Sequence, residues 1–187
     1  MFFKLNIFMF KKLKNTFKFS DYESIANQIR YGRVRNDGFY GISYDIITVE
    51  SNEKLFEVIP ERYRNSFALL SMEINCYIRP HTDSGILTTI NFYVDSQNAI
   101  TRFYNVKSSS PDISKFENQT NGEIFNPTDL EEIDSFSANN SEAFILDVTK
   151  PHSVTCTQYG TRRALVLQTR NFKYDEVCKM LEETNNL

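Results

Sequence analysis

The chain has 187 residues and a mass of 21.9 kDa, enough for one core with a small elaboration. Hydrophobic residues at 41% and charged residues at 24% exclude a wholly disordered chain and a membrane-spanning bundle. With 24 acidic against 21 basic residues the net charge is −3, which offers no general attraction to a nucleic-acid backbone, so nucleic acid is not expected as the main partner.

The apolar N-terminus, Met1 to Phe10, is interrupted by Lys4 and Asn6 and followed by Lys11, Lys12 and Lys14. A secretory signal has its charges first and a longer apolar run, so this segment is expected to pack on the domain as a strand or helix. Cys76, Cys156 and Cys178 form no CxxC pair and no framework, which points to a reducing compartment and a cytoplasmic location.

Ser20-Asp-Tyr-Glu23 has the capping-box spacing, and Ile25, Ala26 and Ile29 follow at helical intervals, which predicts a helix from about Asp21 to Tyr31. Residues 33–50 read as a loop followed by a short strand, and part of 52–66 as a second helix with Pro60 at a break or a new first turn. From Phe67 the pattern changes. Met72 to Arg79, Leu87 to Val94, Ile100 to Val106, Ala143 to Val148 and Arg163 to Thr169 are short, rich in β-branched and aromatic residues, and bounded by turn formers. Strands at such intervals predict a sandwich or small barrel. The polar tract from Lys107 to about Ser141 is expected to be an insertion, either an inert one or a mobile lid at the barrel mouth. A C-terminal helix capped by Asp175 should include Val177, Met180 and Leu181. These elements divide the chain into an N-terminal support over 1–70, a barrel core over 71–172 carrying the insertion 107–141, and a terminal helix over 173–187.

His81 and His152 are the chain's two histidines, so any site that needs imidazole has to use them. In His81-Thr82-Asp83, at the end of a predicted strand, residues two apart share a face, so an imidazole and a carboxylate can meet. With 24 acidic residues in 187, such a pair arises by chance about one time in eight and is weak by itself. If the strand from Ala143 to Val148 lies beside the first, His152 completes a set of two histidines and one carboxylate, which leaves open positions suited to non-haem Fe(II). A third element raises the odds: Gly160-Thr-Arg-Arg-Ala-Leu-Val166 places arginines at the start of an apolar strand, where a barrel tolerates them best if they meet an anion.

Taken together, Tyr77-Ile-Arg-Pro-His-Thr-Asp83, Thr89-Ile-Asn-Phe-Tyr-Val-Asp95, Ala99-Ile-Thr-Arg-Phe-Tyr104 and Phe144-Ile-Leu-Asp-Val-Thr-Lys-Pro-His-Ser-Val154 leading to Gly160-Thr-Arg162 occur in the order seen in the Fe(II)/2-oxoglutarate-dependent dioxygenases. The chain resembles that superfamily, and within it the prolyl 4-hydroxylase-like branch, over about residues 70–172. The resemblance implies a mainly β fold with flanking helices, a double-stranded β-helix of the jelly-roll or cupin-like kind. It implies metal ligation and catalysis through His81, Asp83 and His152. It also implies that the far carboxylate of 2-oxoglutarate is bound by Arg162, with Arg163 as the alternative, and that Tyr93 helps hold the same carboxylate. Tyr77 shares parity with His81 and is expected to border the cosubstrate or the substrate entrance. Thr89 and Asn91 share the face of Tyr93. The chain has Asn75, Ser141-Glu142 and Ala164 where the family often has two glycines and a serine, while Asp83 argues against the halogenating relatives.

The implied cofactors are Fe(II), 2-oxoglutarate as cosubstrate and O2, with ascorbate as an optional addition. The implied activity is hydroxylation of a C–H bond in a protein, prolyl by analogy, or in a small molecule. The competing expectation is a non-catalytic β-barrel that binds a small molecule or a partner protein. Residues 33–50 and 107–141 are the segments expected to meet the substrate.

Overall fold

The computed structural model describes residues 8–17, 42–46, 53–74, 77–83, 85–115, 122–155 and 160–187. The strands are β1 (Phe10–Lys12), β2 (Ile42–Ile46), β3 (Phe67–Ile74), β4 (Ile78–His81), β5 (Thr88–Asp95), β6 (Ile100–Val106), β7 (Ile113–Lys115), β8 (Glu123–Phe125), β9 (Leu130–Ser137), β10 (Ala143–Leu146), β11 (His152–Thr155) and β12 (Arg162–Thr169). The helices are α1 (Glu53–Phe56) and α2 (Tyr174–Glu183), with 3-10 turns at Glu61–Ser66 and Pro127–Asp129. The predicted helix at 21–31 lies outside the described residues. No helix among those residues is long and apolar enough to cross a membrane.

The strands form two six-stranded sheets, ordered β1-β10-β5-β12-β3-β2 and β7-β8-β4-β11-β6-β9. Among the central eight, the chain alternates between sheets: β3 lies in the first, β4 in the second, β5 in the first and β6 in the second. After β9, which stays in the second, it returns to the first with β10 and alternates again through β11 and β12. This interleaving of antiparallel strands is the double-stranded β-helix.

Side chains alternate across the pleat, so the first sheet buries two apolar layers. Ile90, Phe92, Leu165 and Leu167 face outward against Leu55, Phe56, Ile59, Tyr174, Val177 and Leu181. Their neighbours Tyr93, Ala164 and Val166 face the barrel interior with Ile78, Phe103, Phe144 and Val154. The periodicity of β5 and β12 is hidden in the sequence because both faces are covered, and such strands read as continuous apolar runs.

Several expectations need correction. The predicted strand over 72–79 is two strands, β3 and β4, in different sheets, because Ile74 and Ile78 stand on either side of a crossover and hydropathy does not register a change of sheet. β12 starts at Arg162, one residue early. Pro60, at φ −54, stands at the break between α1 and the 3-10 turn, as expected. α2 has Lys173 at its cap, where Glu176 Oε2 accepts from the Lys173 N–H at 2.8 Å; Asp175 lies in the first turn, on the favourable side of the helix dipole.

The tract 107–141 is not a strandless insertion. It supplies β9, paired along the length of β6, and the β7–β8 hairpin, which extends the second sheet beyond β4. β9 looks like a loop in composition because it is an edge strand, buried at Leu130 and largely solvated along the rest.

Candidate metal centre and anion pocket

β4 ends at His81 and β11 begins at His152, and these two residues are directly opposite in the ladder between the strands. Their rings lie 4.3 Å apart. Asp83 follows two residues later, with Oδ1 3.4 Å from His81 Nε2. One ligand atom from each of His81, Asp83 and His152 falls within 4.8 Å of the other two. The three residues that the motif predicts are therefore brought together.

Each imidazole is oriented in the same way. His81 Nδ1 lies 2.9 Å from the Arg79 carbonyl oxygen and His152 Nδ1 lies 2.9 Å from the Lys150 carbonyl oxygen. A carbonyl can only accept, so Nδ1 carries the hydrogen and Nε2 is the atom that can turn a lone pair toward an ion. Lys150 is delivered by an Asx turn, in which Asp147 Oδ1 accepts from the Thr149 N–H and hydroxyl. The same turn presents the Val148 carbonyl, which accepts from the Asp83 N–H at 3.0 Å. On the other side, the Thr82 N–H donates to the Glu123 carbonyl of β8 at 2.9 Å.

The protonation states suit a metal. Burial, with the neighbouring His81 charge, pushes the His152 imidazole down to about 4 despite the opposing pull of Asp83 and the Lys150 carbonyl. It is neutral near pH 7. Burial by itself would raise the Asp83 carboxyl, but the His81 hydrogen bond and the charges of His152 and His81 outweigh it and hold the group below its usual range. A neutral imidazole and an ionised carboxylate are the forms that bind a cation.

Arg162 is 2% exposed and points into the barrel. Its guanidinium lies over the Tyr93 ring at 4.4 Å, and Nη1 donates to Thr101 Oγ1 at 3.0 Å. Nε has no partner, and no carboxylate among the described residues pairs with Arg162. A buried guanidinium left in that state is costly unless an anion joins it. Arg163 faces the other way, with Nε 3.0 Å from Glu73 Oε1 on the half-exposed outer face. Arg162 is thus the inward residue of the pair. Tyr93 is fully buried, its hydroxyl 3.4 Å from Asn91 Nδ2, and Asn91 Oδ1 and Thr89 Oγ1 on the same face also lack partners.

Tyr77 does not share the face of His81. It is 51% exposed, and its hydroxyl is held above its usual range by partial burial and by Tyr104, against the pull of Arg102 and Arg79. The reason is a register shift between His152 and Val154: His152 pairs with His81 but Val154 pairs with Ile78, so Arg79 and Pro80 on β4 stand against Ser153 alone on β11. The bulge turns His81 onto the inward face with Ile78 and leaves Tyr77 on the outward one.

Thr101, Phe103 and Gly122 were given no role by the sequence. Phe103 is buried opposite His152, with ring centroids 5.8 Å apart, and holds one side of that imidazole. Gly122 lies against the Thr82 carbonyl. The dipeptide Asn121-Gly122, a hairpin signal, was the clue available for it.

No family model matches the sequence, and no curated protein matches it. Solved structures do. The non-heme alpha ketoglutarate dependent epimerase SnoN from nogalamycin biosynthesis, in its complex with Fe3+, alpha ketoglutarate and nogalamycin RO, aligns with 86% of this chain and 78% of its own at 10% identity and a TM-score of 0.56. A second SnoN structure aligns with 86% of this chain and 75% of its own at 10% identity and a TM-score of 0.54. Vicilin from Capsicum annuum aligns with 76% of this chain at 10% identity and a TM-score of 0.45, and the chain spans 31% of the vicilin chain. At these identities the likeness is one of fold, a barrel also used by a 2-oxoglutarate-dependent enzyme.

Proposed function

We propose that the chain is an Fe(II)- and 2-oxoglutarate-dependent oxygenase that hydroxylates a C–H bond. The observation that carries this reading is the pairing, inside one barrel, of a two-histidine, one-carboxylate cluster with a buried arginine that no carboxylate among the described residues neutralises. The donor set fits iron: two imidazoles and one carboxylate leave several coordination positions for other ligands. The buried guanidinium of Arg162 suits the remote end of a dicarboxylate. Arg162 sits on Thr101, and Phe103, two residues further along β6 and about 7 Å away by strand rise, packs on His152.

In this reading His81, Asp83 and His152 hold the metal, and Arg162 grips the remote carboxylate, with Thr101 and Tyr93 fixing the guanidinium. Thr89 offers an unpartnered hydroxyl that can donate to the bound molecule. Phe103, Val154 and Ile78 keep water from the interior. Iron with 2-oxoglutarate and O2 supplies the oxidising power needed to break an unactivated C–H bond.

SnoN supports the pairing of iron with 2-oxoglutarate on this fold, and as an enzyme of nogalamycin biosynthesis it favours testing small molecules beside the prolyl peptides suggested by the sequence motifs. The test is incubation of the purified chain with Fe(II), 2-oxoglutarate and a peptide or metabolite library, read by mass spectrometry. The expected result is a mass gain of one oxygen in one substrate class, lost in His152→Ala; no gain and no 2-oxoglutarate consumption would favour the binding-module alternative.

A further inference from the structure

We propose that the β7–β8 hairpin is a clamp on the metal-ligand loop and that Gly122 is the positioning residue through which it acts. This inference rests on the metal-site reading above and adds a device that sets how tightly the site holds its ion. Residues 81–83 carry two of the three ligands, and their backbone is gripped from both sides. His81 pairs with Ile124 in the ladder. The Thr82 N–H donates to the Glu123 carbonyl at 2.9 Å, and the Glu123 N–H donates back to Thr82 Oγ1 at 3.2 Å. From the opposite side the Val148 carbonyl accepts from the Asp83 N–H.

Gly122 makes this contact possible. It has φ +41, and a Cβ there would overlap the Thr82 carbonyl group and fall 3.2 Å from the Asp83 nitrogen. The obstacle is backbone, which cannot swing away as a side-chain tip can. To restore an ordinary contact, the hairpin or the Thr82 peptide has to move by about 2 Å. His152 is also held on its other side, by Phe103 of β6, so a shift of residues 81–83 changes the spacing of the ligands, and metal distances tolerate only about 0.2 Å. The hairpin is otherwise peripheral. Neither Ile124 nor Phe125 belongs to the two apolar clusters that hold the barrel, so loosening β8 disturbs the ligands before it disturbs the fold.

The probe is Co(II), titrated anaerobically into the full chain and followed by calorimetry and by its visible absorption, with His152→Ala as the reference for a broken site. Gly122→Ala should weaken Co(II) binding by about 10- to 100-fold and alter the cobalt spectrum, with the metal-free melting temperature within about 4 °C of the wild type. Thr82→Val keeps the side-chain shape, removes the acceptor of the Glu123 N–H, and should give a smaller loss of the same sign. Wild-type affinity and spectrum in folded Gly122→Ala would overturn the clamp and leave the metal site standing. Should Gly122→Ala fail to fold, wild-type affinity in Thr82→Val overturns it instead. A wild-type chain that binds no Co(II) removes the metal-site reading and the clamp together.

Discussion

His81 and His152 occupy one rung of the β4–β11 ladder, with rings 4.3 Å apart and each Nδ1 tied to the carbonyl two residues before it. The pair is built by two strands separated by some 70 residues, so its geometry is a property of the barrel. The third ligand, Asp83, depends on how the chain leaves β4. Replacing His81, Asp83 or His152 by Ala should therefore weaken metal binding by at least about 100-fold while circular dichroism stays unchanged, because a two-ligand remnant holds a divalent ion poorly. Retained affinity in His152→Ala would remove that residue from the site.

Arg162 and Arg163 should separate cleanly. Arg162→Gln is expected to raise the 2-oxoglutarate dissociation constant by about 10- to 100-fold, the worth of a charged hydrogen-bonded contact, without changing metal affinity. Since it removes a buried charge with no carboxylate partner among the described residues, it should also leave the ligand-free chain at least as stable. Arg163→Gln loses a half-exposed pair with Glu73, worth about 0–1 kcal/mol, and should leave 2-oxoglutarate binding alone. The reverse pattern in a titration would place the anchor on the outer face.

Acid should destabilise the metal-free chain in a defined window. The His152 imidazole is pushed down to about 4 from the ordinary 6.5, so between those values the unfolded chain binds a proton that the folded one does not. Stability then falls as pH drops from 6.5 to 4, by about 3 kcal/mol for this group. Asp83, with its carboxyl held below the usual range, acts in the same direction at lower pH, because the stability of its ionised form is lost as pH falls through the folded value. Urea midpoints measured with a chelator from pH 7 to pH 4 check this, and His152→Leu should flatten the upper part of the curve.

A change in the outer layer provides the control. Leu165 is fully buried against the helices on the far face of β12 from Arg162's side of the strand. Leu165→Ala should cost about 2–5 kcal/mol of stability and leave metal affinity within twofold. A large loss of metal binding in this variant would mean that the ligand geometry depends on general packing rather than on the local contacts of residues 81–83 and 147–152.

The residues that could be read from the sequence are those whose chemistry is local. With two histidines in the chain, one of them in His81-Thr82-Asp83, the cluster was legible although the expected neighbour was not the right one: the strand over 143–148 is β10 in the other sheet, and β11, which begins at His152, is the strand beside β4. What escaped was geometry that hydropathy does not record. Tyr77 shares parity with His81 on paper, but the bulge between His152 and Val154 reverses it. The strands of 107–141 were hidden because β9 is a solvated edge, and the hairpin over β4 is short. Arg162 and Arg163 were ambiguous by one position until the register with Glu73 and Thr101 put them on opposite faces.

The most direct measurement of the central claim is 2-oxoglutarate turnover by the purified chain under air, with succinate quantified with and without added Fe(II). Succinate formation should require Fe(II), be abolished in His152→Ala and Asp83→Ala, and survive in Arg163→Gln. A wild-type chain that is folded and iron-loaded yet neither binds nor consumes 2-oxoglutarate would contradict it.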